Sequence, residues 1–420
     1  MERIIFHIDV NNAYLSWTAV QHLQHGNLTD LRSIPAAIVG DSDNRRGIIL
    51  AKSTPAKQYG ILTGEPTVLA LQKCPQLVCL PPDFSLYAKC SQHMFDLLEN
   101  YSDRLEQYSI DEGFLEYTGM QELFGSPFTA AQTIRDHIRS QLGFTVNIGI
   151  SCNKLLAKMA GELEKPNRIL TLFPNEIPDK LWPLPIDILF MVGKETALKL
   201  RQMGISTIGA LASYPVHLLR HAFQSFGLVL HAYANGIDDS PVIQTQPIAK
   251  SIGNSTTLPH NITDAQTAHN ILLALSETVS FRLRSCGCRA TEITVTLKTS
   301  SFETYSHQKL CHPPIDCTNA VHQNAVSLFH EAWHGEPLRL LGIRAGRLSY
   351  DDPVQLSFLE PDWEKQTRAD AAMDQIRFKY GIDAVKRATF VDGSFPPHAG
   401  GQLYIRPNPF SKPKHPPSDS

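Results

Sequence analysis

Arg3-Ile4-Ile5-Phe6-His7-Ile8-Asp9-Val10 reads as a buried strand with a carboxylate near its end. A second strand pair spans about Gln107 to Tyr117 and encloses Tyr108-Ser109-Ile110-Asp111-Glu112, while Phe144 to Ser151 reads as a third apolar strand. Lys154 to Leu163 places Leu155, Leu156, Met159 and Leu163 at helical spacing, and Pro166 stops that helix. Strands and helices therefore mix along the chain, which predicts an α/β (α+β) multidomain protein. At about 150 residues per domain, 420 residues make room for roughly three domains.

The acids in these strands carry the first chemical signal. Adjacent carboxylates inside apolar sequence are costly unless a cation neutralises them. Asp9, Asp111 and Glu112, converging from separate strands, would hold two Mg²⁺ ions and so serve in-line phosphoryl transfer. Spacing alone favours a second reading, with the three acids at strand ends in water. Lys57 in Lys52-Ser53-Thr54-Pro55-Ala56-Lys57 and Lys165 in Glu164-Lys165-Pro166-Asn167 are candidate phosphate ligands. Taken singly, each also reads as a solvated surface lysine.

Composition narrows the class without choosing the activity. With 42% hydrophobic and 19% charged residues the chain is globular, and 38 basic against 41 acidic residues leave no strong global field. No run of 18 apolar residues exists, so no span is expected. The start lacks the apolar core and cleavage site of a signal peptide, and the eight cysteines are scattered, which together predict a cytoplasmic protein. Cys286 and Cys288 with Cys311 and Cys317 lack the usual zinc spacing and read as buried free thiols.

Residues 174 to 238 predict short helices only. Within them Ile188-Leu189-Phe190-Met191-Val192-Gly193-Lys194 places an apolar-Gly-Lys turn between two helices, a helix–hairpin–helix pattern in which Gly193 and Lys194 would grip a DNA phosphate. An ordinary helical hairpin is the other reading. After a Pro- and Gln-rich linker, the pattern from Lys250 reads as helix then strand. Glu292 to Lys298 and Leu338 to Leu348 are strands, and about Glu364 to Tyr380 is a helix ending at Gly381. Beyond Phe390 the chain holds seven prolines and reads as a disordered tail.

Read together, Phe6-His7-Ile8-Asp9-Val10-Asn11-Asn12-Ala13-Tyr14, Tyr108 to Glu112, Gly149 to Ala160, Lys165-Pro166-Asn167, the hairpin, Leu230 to Pro241 and Lys250 to Asn254 resemble a Y-family, lesion-bypass DNA polymerase. The resemblance covers about residues 3 to 390. It implies a right hand: palm at 1–11 and 79–173, fingers at 12–78 and a helix–hairpin–helix thumb at 174–240. It further implies a linker at 241–249 and a little finger at 250–350, then a clamp motif with a C-terminal helix at 351–390 and the tail at 391–420. The implied activity is template-directed, low-fidelity addition of deoxynucleotides to a primer 3′-hydroxyl with bypass of damaged bases. By this resemblance Asp9, Asp111, Glu112 and the Val10 carbonyl bind two Mg²⁺ ions, and Tyr14 is the steric gate that crowds a ribose 2′-hydroxyl. Lys57 and Lys165 bind the triphosphate, aided by the hydroxyls of Ser53 and Thr54. Three positions depart from the family: Ala13 for a second aromatic, Thr54 for a tyrosine and Arg168 for a glycine.

Residues 241 to 350 hold nine basic and seven acidic residues. Arg344 and Arg347, on a strand that carries no acid of its own, are candidate DNA-phosphate ligands. Gln355-Leu356-Ser357-Phe358-Leu359 resembles a sliding-clamp-binding peptide, with Gln355, Leu356, Phe358 and Leu359 as its anchors and Phe358-Leu359 in reversed order. Primer–template DNA, deoxynucleoside triphosphates and the clamp are thus the expected partners of a monomer. Two rivals are a non-catalytic DNA- and clamp-binding factor of the same fold and a two-metal nuclease. Three intact carboxylates oppose the first. Tyr14 and the triphosphate lysines oppose the second.

Overall fold

The computed structural model describes residues 3–40, 47–244, 248–350, 363–381 and 384–390. The chain folds as two units, one within Met1–Gly40 and Ile48–Pro247, the other within Ile248–Ser420. The strands of the first are β1 (Ile5–Val10), β2 (Ala36–Val39), β3 (Ile49–Lys52), β4 (Val78–Leu80), β5 (Leu105–Gln107), β6 (Glu112–Glu116), β7 (Val146–Ser151) and β8 (Ile169–Thr171). They form a sheet of order β5-β6-β1-β7-β8 and a smaller one of order β3-β2-β4. Helix α1 (Ala13–Gln24) follows β1, and α2 (Thr54–Gln58) follows β3.

β1 is the central strand, antiparallel to β6 and β7, with Asp9 opposite Glu112 on one side and Asn147 on the other. Its side chains alternate between faces. Phe6, Ile8 and Val10 enter a core with Tyr87, Met94 and Leu98 of α3 (Phe84–Leu98) and Ile134 of α4 (Pro127–His137). Ile5 and His7 take the opposite face, against α5 (Lys154–Leu163): Ile5 packs with Ala157, and His7 lies beneath Gly161. Asn153 caps α5 by accepting from the Leu156 N–H at 2.8 Å. Gly149 of β7 lets this helix approach, since a Cβ there would sit 1.9 Å from the Ala157 carbonyl oxygen.

Residues 174–240 pack short helices around Leu200, Ile208, Leu219 and Leu230. Of the two short helices expected around Gly193 and Lys194, the first is the shorter. Ile186–Ile188 is a single 3₁₀ turn, with Pro185 before it and extended backbone at Leu189 after it, and α6 (Lys194–Gln202) then starts with Gly193 as its N-cap. The linker expected from residue 241 also begins differently. Val242 is buried with Ile5, Phe114 and Ala157, and the Ile243 N–H donates to Glu106 Oε2 at 2.8 Å.

The second unit runs β9 (Ser251–Ile262), α7 (Ala265–Ser285), β10 (Arg289–Thr299), β11 (Thr304–Ile315), α8 (Thr318–Ala332) and β12 (Leu338–Ser349). The sheet is antiparallel, of order β11-β10-β12-β9, with α7 and α8 sharing its core. A strand therefore comes first where helix then strand was expected, and β11 and α8 are additions. Both unread strands lie at sheet edges, where few inward residues are needed: β9 buries Ile252 and Leu258 amid polar neighbours. Helix α9 (Trp363–Tyr380) is tied to this unit by ion pairs from Arg284 to Asp370 and Asp374 and from Arg377 to buried Glu277. Gln355, Leu356, Phe358 and Leu359, like residues 391–420, lie outside the described residues.

All eight cysteines are free thiols, and burial pushes the Cys288 thiol up to about 12. No helix among the described residues is long and apolar enough to cross a membrane.

The close contact at Gly149 yields a stability test. Gly149→Ala must lift α5 off β7, and should destabilise the protein by about 3 kcal/mol or more. A thermal melt within a degree or two of wild type would show that the helix shifts freely.

Candidate active site

The acids of β1 and of the turn before β6 are joined by backbone: the Val10 N–H donates to the Asp111 carbonyl at 3.0 Å. Asp9, Val10 and Asp111 line a cleft of about 420 Å³, and Tyr14 from the first turn of α1 lines it too. Facing them in the same unit is a wall from β3 and α2, with Lys52, Thr54 and Lys57, joined by Thr63. Lys165 and Pro166, just past α5, complete the lining.

Each carboxylate has a partner. Lys165 Nζ donates to Asp9 Oδ2 at 2.6 Å and to Glu162 Oε1 at 2.7 Å. Burial pushes the Asp9 carboxyl above its ordinary value, and Lys165 offsets that only in part. Asp111 Oδ1 accepts from Ser109 Oγ at 2.6 Å. Glu112 stands apart, outside the cleft lining: its Oε2 meets His7 Nε2 at 2.8 Å and pairs with the Lys158 ammonium. Burial alone would raise the Glu112 carboxyl, but His7 and Lys158 outweigh it and bring it down to about 2. His7 is fully buried, and desolvation pushes its imidazole below the usual value.

Among the described residues no three His, Cys, Asp or Glu side chains draw close enough to form a metal cluster. The donor set nevertheless suits a hard divalent cation, with two carboxylates and a backbone carbonyl on one wall of the cleft. Asp9 is the test of fit. It is a desolvated acid incompletely compensated by its lysine, and a cation beside it would hold it ionised.

Tyr14 is held by aromatic neighbours. It stacks on Tyr87 with ring centroids 4.4 Å apart and meets Phe84 edge-on at 6.1 Å. Tyr87 is buried and hydrogen-bonded to Thr18 Oγ1 at 3.1 Å, so the Tyr14 ring has a fixed backing although Ala13 offers none.

The candidate phosphate ligands divide. Thr54, Lys57 and Lys165 line the cleft. Ser53 does not: it is buried, its Oγ donates to the Ile34 carbonyl at 2.7 Å and accepts from the Ala36 and Ala56 N–H groups, both at 3.1 Å. Its hydroxyl is used in capping α2, which corrects its assignment as a ligand. Gly193 and Lys194 are exposed at the start of α6.

Arg344 and Arg347, in the second unit, are not free of acids. Glu292 Oε1 lies 3.2 Å from Arg344 Nη2 and Oε2 3.1 Å from Arg347 Nε. Glu292 is distant in sequence but sits on β10 opposite Gly346 of β12, so register supplies an acid that β12 itself lacks. Sequence reasoning also passed over Lys52, Thr63, His7 and Lys158. Lys154, Lys158 and Glu162, spaced four apart on a helix whose other residues are apolar or glycine, were the available signal for the last.

An amide network fixes the Lys165 loop. Asn11 Oδ1 accepts from the Asn167 N–H at 2.9 Å, and Asn11 Nδ2 donates to Asn147 Oδ1 at 3.1 Å. Asn147 Nδ2 in turn donates to the Glu164 carbonyl at 2.6 Å.

Residues 8–162 match the impB/mucB/samB family, and residues 249–358 match the C-terminal domain of the same family. The chain belongs to this family, that of the Y-family DNA polymerases. It is 43% identical to a DNA polymerase IV of Clostridium acetobutylicum, over 93% of this chain and 99% of that protein. It is 35% identical to a DNA polymerase IV of Clostridium kluyveri, over 94% and 100%. Against DNA polymerase IV 2 of Bacillus subtilis the identity is 34%, over 96% and 97%. A solved Y-family DNA polymerase chimera superimposes with a TM-score of 0.71 at 22% identity, covering 83% of this chain and all of that one, and so shares its fold.

The depressed Glu112 value has a pH consequence. The folded carboxyl titrates near 2 against an ordinary 4.5, so it contributes stability that is present above pH 4.5 and is lost as pH falls toward 2. In EDTA, the urea midpoint of the wild type should fall between pH 5 and 2.5 more steeply than that of Glu112→Gln. Parallel falls would place the stabilising carboxylates elsewhere.

Proposed function

We propose that the chain is a translesion DNA polymerase that adds deoxynucleotides to a primer 3′-hydroxyl under template direction. The observation that carries this reading is the cleft, with carboxylates on one wall, lysines and threonine hydroxyls on the other, and Tyr14 in its lining. A metal-bound nucleoside triphosphate presents the complementary charges.

Asp9, Asp111 and the Val10 carbonyl would hold two Mg²⁺ ions, joined by Glu112, whose contacts with His7 and Lys158 both fall on Oε2. Bound there, the ions would make the primer hydroxyl a better nucleophile and steady the leaving phosphate oxygen. Lys165, which bridges Asp9 and Glu162, can exchange a carboxylate for a phosphate oxygen, while Lys57 and Thr54 take the triphosphate from the facing wall. Tyr14, backed by Tyr87, would stand against a ribose 2′-hydroxyl.

Within the first unit, the larger sheet with α3 to α5 serves as palm, the smaller sheet as fingers and residues 174–240 as thumb. The second unit serves as little finger. Gly193 and Lys194 would meet DNA phosphate, as would Arg344 and Arg347. A sliding clamp is the proposed partner of Gln355, Leu356, Phe358 and Leu359, and the protein acts as a cytoplasmic monomer.

Primer extension with Mg²⁺ on undamaged and abasic templates tests the reading. The wild type should extend past the lesion, and the double variant Asp111→Ala, Glu112→Ala should lose at least about 10³-fold in rate. Tight DNA binding by a wild type that incorporates nothing, with or without clamp, would favour the non-catalytic factor.

Glu292 supplies a separate test of the DNA surface. Glu292→Gln removes the charge that Arg344 and Arg347 share, so DNA affinity should rise by about three- to ten-fold and the salt dependence should steepen. An unchanged salt slope would exclude these arginines from the phosphate contacts.

A further inference from the structure

Lys52 closes β3 and lines the same wall of the cleft as Lys57. Its ammonium donates to Thr63 Oγ1 at 3.0 Å, and Thr63 also lines the cleft. The acid on this side, Glu65, is taken by Lys73 at 2.6 Å. Burial, and then the charge of Lys57, push the Lys52 ammonium below the ordinary lysine value. Two lysines thus share one wall; the more buried of them hydrogen-bonds a neutral hydroxyl, and the charge of Glu65, already paired with Lys73, offsets its desolvation only in part. Such a pair is unfavourable until an anion arrives.

The charge balance on the other wall says which anion. Lys165 pairs with Asp9 and Glu162 and reaches a phosphate only by giving up one of them. Ser53 has no proton to offer. From its own side of the cleft, Lys57 would then meet the phosphates of a nucleotide with little help besides Thr54. Resting on the polymerase reading above, we propose that Lys52 binds the terminal phosphates of the incoming nucleotide together with Lys57, and that Thr63 holds its ammonium toward the cleft beforehand. Lys52 is thereby a further triphosphate-binding residue, and it favours triphosphates over diphosphates.

The test is equilibrium binding of dATP and dADP, with Mg²⁺, to the full chain on a primer–template whose primer ends in a dideoxynucleotide, so that no bond is made. Lys52→Met should raise the Kd for dATP about ten-fold or more and that for dADP less than about three-fold. Lys52→Arg, which keeps the charge, should stay within about three-fold of wild type for both. Unchanged dATP binding by Lys52→Met, while the wild type still extends ordinary primers, overturns this inference and leaves the polymerase reading intact. Equal losses for dATP and dADP overturn it as well, since they mark a disturbed cleft rather than a lost terminal contact. A wild type that neither binds dATP nor extends primers overturns both.

Discussion

Asp9 is a carboxylate on the central strand of a sheet covered on both faces, and burial there opposes its charge. Much of the catalytic unit can be understood as an answer to that cost. Strand alternation gives one face of β1 to Phe6, Ile8 and Val10 and leaves His7 and the carboxylates of Asp9 and Glu112 to be compensated from α5 and the loop after it. Lys158 and Lys165, seven residues apart, bracket the end of that helix and reach the two acids separately. Such pairs add little net stability, because desolvation consumes most of the Coulomb gain. Their value lies in keeping charged oxygen atoms beside the cleft.

The same helix explains why position matters so much here. Gly149 permits α5 to lie close on β7, and Asn11 with Asn147 ties the Lys165 loop back to the sheet. The loop lysine is therefore placed by buried amides rather than by its own ion pair. The facing wall is organised differently. Its α2 is a short helix capped by Ser53, and Lys52 and Lys57 make no ion pair among the described residues, Glu65 being paired with Lys73. One wall keeps anions satisfied by cations, and the other keeps cations ready for an anion.

Much of the candidate site was legible because its residues sit in short contiguous stretches. Asp9 and Tyr14 lie within one segment, Asp111 and Glu112 are adjacent, and Lys57 and Lys165 sit beside recognisable turns. Central strands and the amphipathic α5 were legible too, since their apolar periodicity is strong. Edge strands β9 and β11 were not, because a strand paired on one side and largely exposed needs few apolar residues. The assignment of Ser53 failed for a related reason. A hydroxyl before Thr54-Pro55 fits a phosphate ligand and a helix cap alike, and only its neighbours show which.

By itself the sequence determined which residue types could do chemistry, the order of the strands that carry them and the family to which they belong. Tertiary structure alone decided which charges meet. Glu292 neutralises two arginines because antiparallel register brings β10 against β12, and Lys158 reaches Glu112 because α5 crosses the sheet. Lys52 joins Lys57 because β3 and α2 form one wall. Electrostatic interaction depends on distance and desolvation, and neither is a property of separation along the chain.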